Sequence, residues 1–178
     1  MATCLTLKQG LAARCRNQAP GVGTIVLANF GDLSAVTYNT TSDKISGITF
    51  DAGTSAFTFA VNRDSCEFTE TVTINIPNGT KTFVPKLVMK LPGLSIDVRN
   101  TIDELGEATV LAFWKDIDAV WYCLGIVNGM DATTIETSSG VAADSFKGTT
   151  ITLEGKEAHS YYELESWVYA ADIAPILI

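Results

Sequence analysis

His159 is the only histidine in the chain, so any Ser-His-Asp or Cys-His nucleophile would have to be organised around it. Such a site needs a base within hydrogen-bond reach of a sharply turned nucleophile, and no G-x-S-x-G elbow occurs. His159 therefore reads as a surface side chain just past a strand. Cys4, Cys15, Cys66 and Cys123 are widely spaced and include no C-x-x-C pair, whereas a structural zinc needs four ligands at short paired spacings. They read as buried free thiols, packing as small hydrophobes. Gly21-Val-Gly23-Thr24 approaches a phosphate loop, but Val26 stands where a third glycine would be and no Gly-Lys-Ser/Thr follows. Carboxylates cluster at Asp116/Asp118, Asp103/Glu104/Glu107 and Glu163/Glu165, residue types that serve acid–base work or hard cations. Asp116 and Asp118 fall where a hairpin turn is expected, and Asp serves the backbone there; the other groups read as solvated faces. The expectation is a protein with no catalytic residue, no metal site and no cofactor.

Charge and composition narrow the class further. The 178 residues carry 12 Lys+Arg against 20 Asp+Glu, a net charge of −8, which argues against a protein that coats DNA through clustered cations. The acidity is uneven: residues 1–60 hold four cationic and three anionic side chains, net +1, and residues 61–178 hold eight and seventeen, net −9. With 47% hydrophobic and 18% charged residues the chain has material for a packed core. No run reaches the about 18 apolar residues of a membrane-spanning helix, so no membrane insertion is expected. Lys8, Arg14 and Arg16 interrupt the first residues, and no export signal is expected there. The expectation is synthesis in the cytoplasm, in which case the sequons at Asn39 and Asn78 carry no meaning.

The elements that would position any site are mostly strands. Val, Ile and Thr number 13, 14 and 22, and β-branched residues suit pleated sheets. Residues 1–23 form an N-terminal arm in which Leu5, Leu7, Leu11 and Ala12 suit a short helix ended by Pro20-Gly21. Strands are expected over 24–30, 45–50 and 56–61, with a polar loop from Gly31 to Lys44. Phe68, Val72, Ile74 and Ile76 alternate with polar residues, with Glu70 as the one exception, and predict a half-buried strand. Pro77-Asn78-Gly79-Thr80 turns it into a return strand through Phe83, Leu87, Met89 and Leu91, which Pro85 bends or places at an edge. Val98, Ile102 and Leu105 predict one helix over about 96–105, capped by Ser95 or Asp97 and ended by Gly106. Further strands are expected over 108–114, 119–127 and 149–157, with a Gly/Ser/Thr loop from Asn128 to Gly148. Strands, one helix, then strands imply a mainly β fold: an antiparallel β-sandwich or half-open barrel over residues 24–158 with one flanking α-helix.

Residues 159–178 form a C-terminal arm dense in aromatic and apolar side chains. Such an end either folds back on its own domain or docks on a neighbour. Tyr161, Tyr162, Trp167, Val168, Ile173, Ile176, Leu177 and Ile178 are the candidate assembly interface.

Several stretches resemble one family. These are Phe83-Val-Pro-Lys-Leu-Val-Met-Lys-Leu91, the helix to Leu105, the hairpin Ala108–Gly125, and the ending Gly125-Ile-Val-Asn-Gly-Met-Asp-Ala-Thr133, Ser138–Gly148 and Thr149-Thr-Ile-Thr-Leu-Glu-Gly-Lys-Glu157. Together they look like the tail tube or major tail proteins of tailed bacteriophages. Thr150 stands where that family usually has an aromatic residue, and Ser160–Ile178 extends beyond its pattern, so a related ring, adaptor or terminator protein is included. The resemblance implies a tail-tube-like β fold and a virion location. It also implies a homo-oligomeric ring, six-fold or a multiple, that meets adjacent tail proteins and lets genomic DNA pass through a central channel without specific binding. Carboxylates facing such a channel would repel phosphates.

The competing reading is a β-sandwich binding module for carbohydrate or a host surface, using Trp114, Trp121, Tyr122 and Trp167. Strand alternation sets Trp121 and Tyr122 on opposite faces, which denies them a common platform.

Overall fold

The computed structural model describes residues 21–59, 61, 65–142, 145–165 and 175–177. In chain order the strands are β1 (Val22–Asn29), β2 (Leu33–Tyr38), β3 (Ile45–Phe50), β4 (Ala56–Phe59), β5 (Glu67–Asn75) and β6 (Thr80–Pro92). Helix α1 (Ile96–Glu107) follows, then β7 (Thr109–Asp116), β8 (Trp121–Leu124), β9 (Met130–Ser138), β10 (Gly148–Glu154), β11 (Tyr162–Glu163) and β12 (Pro175–Leu177). The fold is mainly β, sandwich-like, with one α-helix among the described residues.

The centre is the antiparallel pair β1–β7, in register Ile25↔Trp114, Val26↔Phe113 and Leu27↔Ala112. Both strands are near-continuous apolar runs, the pattern of a strand buried on two faces. Ile25, Leu27, Val110, Ala112 and Trp114 enter one core with Leu87 and Met89 of β6 and Ile151 and Leu153 of β10. Their neighbours Val26, Ala28, Leu111 and Phe113 enter a second core under the β2–β3 hairpin, with Ile45, Ile48 and Phe50.

The main sheet runs β12-β4-β1-β7-β9-β10-β6-β5. At β7 it divides: Ala112 to Lys115 pair with β8, while Thr109 and Val110 pair with Asp131 and Met130 of β9. Because β1 and β10 share a core although β7 and β9 separate them in the sheet, the sheet curls over itself. Every strand pair is antiparallel except β12 on β4.

Helix α1 packs through Leu105, with Ile102 against the first core. Ser95 is its cap, its Oγ accepting from Val98 N–H at 3.2 Å. The helix passes through Gly106 to Glu107 and closes where Ala108 N–H donates to Glu104 O at 3.1 Å, so Gly106 is not its end. Pro85 lies within β6, its carbonyl accepting from Gly155 N–H at 3.1 Å; lacking an N–H it returns no bond, and the regular β6–β10 ladder stops one residue away at Lys86↔Glu154.

Two expected loops contain strands. β2 lies inside 31–44 and β9 inside 128–148. Each carries a register shift, Leu33/Ala35 in β2 and Thr152/Leu153 opposite β9. The bulge leaves Leu33 and Val36, and Ala132 and Ile135, as the half-buried positions three apart, so the two-residue period is lost. Conversely β8 stops at Leu124, where Gly125 (φ +79°) and Gly129 (φ +76°) turn the chain, and β10 stops at Glu154. In β5 the alternation is present but only Phe68 reaches the core; Val72, Ile74 and Ile76 are exposed.

Candidate assembly surfaces

Residues 157–165 cross the molecule and are stitched down by four glutamates. Glu157 is buried beneath the 125–129 corner, its carboxylate accepting from Asn128 N–H at 3.0 Å and Val127 N–H at 3.3 Å. Burial raises its pKa, and the two amides and His159 oppose that rise. Glu70, the even-position exception in β5, accepts from Ser160 Oγ at 2.6 Å and Tyr161 N–H at 3.1 Å. Glu163 pairs with Lys44. Glu165 accepts from Asn39 Nδ2 and, at 3.1 Å, from Ser42 Oγ. Glu163 and Glu165 are thus ties to the turn before β3 and not merely a solvated face. Two backbone bonds complete the strap: Leu164 N–H to Trp121 O at 2.9 Å and Glu165 N–H to Ile45 O at 3.0 Å.

Of the candidate interface residues, Tyr161 and Tyr162 lie on this strap. The half-exposed Tyr161 ring meets Phe68 and Tyr122 edge-on, at 5.5 and 5.6 Å between centroids. Tyr162 lies 5.4 Å from Tyr38, and burial, with Tyr38 beside it, pushes its phenol up to about 12. Ile176 and Leu177 belong to β12, opposite Phe57 and Thr58 of β4. Trp167, Val168, Ile173 and Ile178 lie outside the described residues, as does the arm from Met1 to Pro20.

The aromatic residues of the binding-module reading are divided between faces. Trp114 stacks on Tyr122 at 4.5 Å and meets Phe68 tilted at 5.1 Å. Trp121 packs against the second core, with Lys115 Nζ 5.7 Å from its ring centroid. Trp167 lies outside the described residues.

The remaining carboxylate candidates make local contacts or lie exposed. Asp116 Oδ1 accepts from Val120 N–H at 2.8 Å and closes the β7–β8 turn. Asp103 faces Arg99 at 4.0 Å along α1. Cys123 is fully buried, which pushes its thiol well up, and half-buried Cys66 is shifted the same way by desolvation. Among the described residues no three His, Cys, Asp or Glu side chains gather as a metal site, and no helix is long and apolar enough to cross a membrane.

Sequence patterning did not find the roles of Glu157, Glu70, Glu163 and Glu165. One signal was present: Glu70 breaks an apolar face, and a charge there needs a partner.

Two surfaces remain. The outer side of β5 pairs with no strand among the described residues. Its hairpin with β6 is exposed throughout residues 71–81. At the other end of β6, Leu94, Ile96, Val98 and Ile102 line an open groove of about 450 Å³ between α1 and Thr137 and Thr149 of β9 and β10. No protein-family model matches the chain, and no curated protein matches its sequence.

Proposed function

We propose that this chain is a structural subunit of a bacteriophage virion tail, a tube or ring subunit that assembles around a central channel for genome passage. The observation that carries the reading is the open sheet. Its terminal strands β5 and β12 each have one strand neighbour among the described residues, and open sheet edges are templates for pairing with another chain. Closure of identical subunits into a ring would satisfy them. The stretches that resemble tail tube proteins also supply connected parts of the domain: β6, α1, β7–β8, and β9–β10 with the corner over Glu157.

In this reading the partners are copies of the same chain, in six-fold rings or a multiple, and adjacent tail proteins. DNA passes without specific contact, past a subunit of net charge −8 that repels phosphates. The chain carries out no catalysis. Its work is mechanical.

Negative-stain electron microscopy with mass photometry over a concentration series tests this. Rings or tubes with an open channel are the expected result; a protein that stays monomeric at every concentration, alone and with tail components, overturns it.

A further inference from the structure

The β5–β6 hairpin carries apolar side chains that are exposed. The face that brings Phe68 onto Trp114 continues outward through Val72, Ile74 and Ile76, and Ile74 and Ile76 are 65% and 83% exposed. Phe83 stands opposite Val72 and Lys81 opposite Ile74, with the Lys81 ammonium 4.9 Å from the Phe83 ring centroid. Strand β10 supports β6 from Lys86 to Pro92, and Glu157 exchanges two backbone bonds with Phe83, so among the described residues the hairpin is two strands wide only beyond Phe83, an arrangement of marginal stability in water by itself.

The groove beside α1 is its complement. It is open and apolar, and at its rim Ile96 is 62% exposed. Lys81 is the only charged residue from 71 to 81, net +1, whereas α1 carries Asp97, Asp103, Glu104 and Glu107 against Arg99, net −3. The two surfaces lie at opposite ends of β6. Its 13 residues separate them by about 40 Å at the usual rise of a strand, so no chain can seat its own hairpin in its own groove.

We infer that the outer β5–β6 hairpin of one copy docks in the α1 groove of the next, with Ile74 and Ile76 entering the apolar floor and Lys81 facing the acidic helix. The contact is heterologous: it joins unlike surfaces and propagates head to tail until the rotation closes a ring, or continues as a filament. This inference rests on the self-assembly proposed above and adds to its edge pairing a second contact, without which the assembly does not form.

The test uses two variants of the full chain: Ile74→Asp with Ile76→Asp in the hairpin, and Leu94→Asp with Ile96→Asp at the groove. All four positions are exposed, and circular dichroism and thermal unfolding check that each variant folds. Sedimentation velocity should show each variant alone as a monomer at concentrations where the parent chain associates. Mixed, they should form a one-to-one heterodimer and stop there, because each retains one intact surface. Lys81→Glu, which leaves the apolar contact intact, should weaken association roughly two- to five-fold at low salt. Variants that assemble like the parent overturn the docking contact and leave the proposed assembly standing. Two monomeric variants that form no heterodimer overturn it as well, and a parent chain that never associates overturns both.

Discussion

Glu157 closes the corner at Asn128: its carboxylate accepts the Asn128 amide at 3.0 Å and the Val127 amide at 3.3 Å, while Asn128 Nδ2 returns a bond to Lys156 O. The residues are 29 apart in sequence, and through them the end of β10 is locked to the turn between β8 and β9. The amide bonds are part-buried and the carboxylate is buried, so amides that lose this acceptor retain part of their desolvation cost. Glu157→Ala should therefore lower stability by about 1–3 kcal/mol, with Glu157→Gln costing less because one carbonyl acceptor remains; urea unfolding of both variants measures the difference.

The same carboxylate sets a pH dependence of defined sign. Burial raises its pKa in the folded state, so folding favours the protonated form. Its contribution is most favourable below the ordinary carboxylate value and is lost as pH rises through the elevated folded value. The stability of the parent chain relative to Glu157→Gln should fall over that interval and level off above it. Paired denaturation curves across mildly acidic pH check this, and a difference that rises with pH would contradict it.

Leu111 and Ile74 are both apolar strand residues with opposite consequences. Leu111 is fully buried in the core between β7 and the β2–β3 hairpin, whereas Ile74 projects from the outer hairpin. Leu111→Ala should cost about 2–5 kcal/mol through lost transfer energy and the cavity it leaves. Ile74→Ala should change monomer stability by less than about 0.5 kcal/mol, measured below the concentration at which the chain associates.

Gly129 is required by its conformation and by space. Its φ is +76°, and an added Cβ would lie 2.2 Å from Thr109 Cγ2 and 3.1 Å from Phe30 Cγ. Gly129→Ala should destabilise by more than about 1 kcal/mol, and pairing it with Thr109→Ser, which removes the clashing methyl, should recover part of the loss. Thermal unfolding of the single and double variants reads this out.

Much of the architecture was legible because it is written in local patterns. The apolar runs within Thr24–Phe30 and Ala108–Trp114 mark strands, Pro77-Asn78-Gly79 marks the β5–β6 turn, and Val98, Ile102 and Leu105 with Ser95 mark α1 and its cap. The opposite facing of Trp121 and Tyr122 also followed from strand alternation alone. β2 and β9 were missed because their bulges break the alternation. The half-buried reading of Val72, Ile74 and Ile76 failed for another reason: periodicity reports that a face is apolar, not what covers it.

By itself the sequence determined the mainly β class, helix α1 and the strands with an unbroken pattern, since these follow from periodicity, propensity and turn chemistry within a few residues. Only the tertiary structure decided that β7 divides the sheet between β8 and β9, and that Glu70, Glu157, Glu163 and Glu165 fasten the 157–165 strap. Only it showed that one end of β6 presents an exposed apolar stripe while the other end leads to a groove. Each of those facts is a contact between residues far apart in the chain. A carboxylate carries no mark of the distant amide or hydroxyl it will accept from, so its role is set when the strands pair and the chain brings the partner within hydrogen-bond distance.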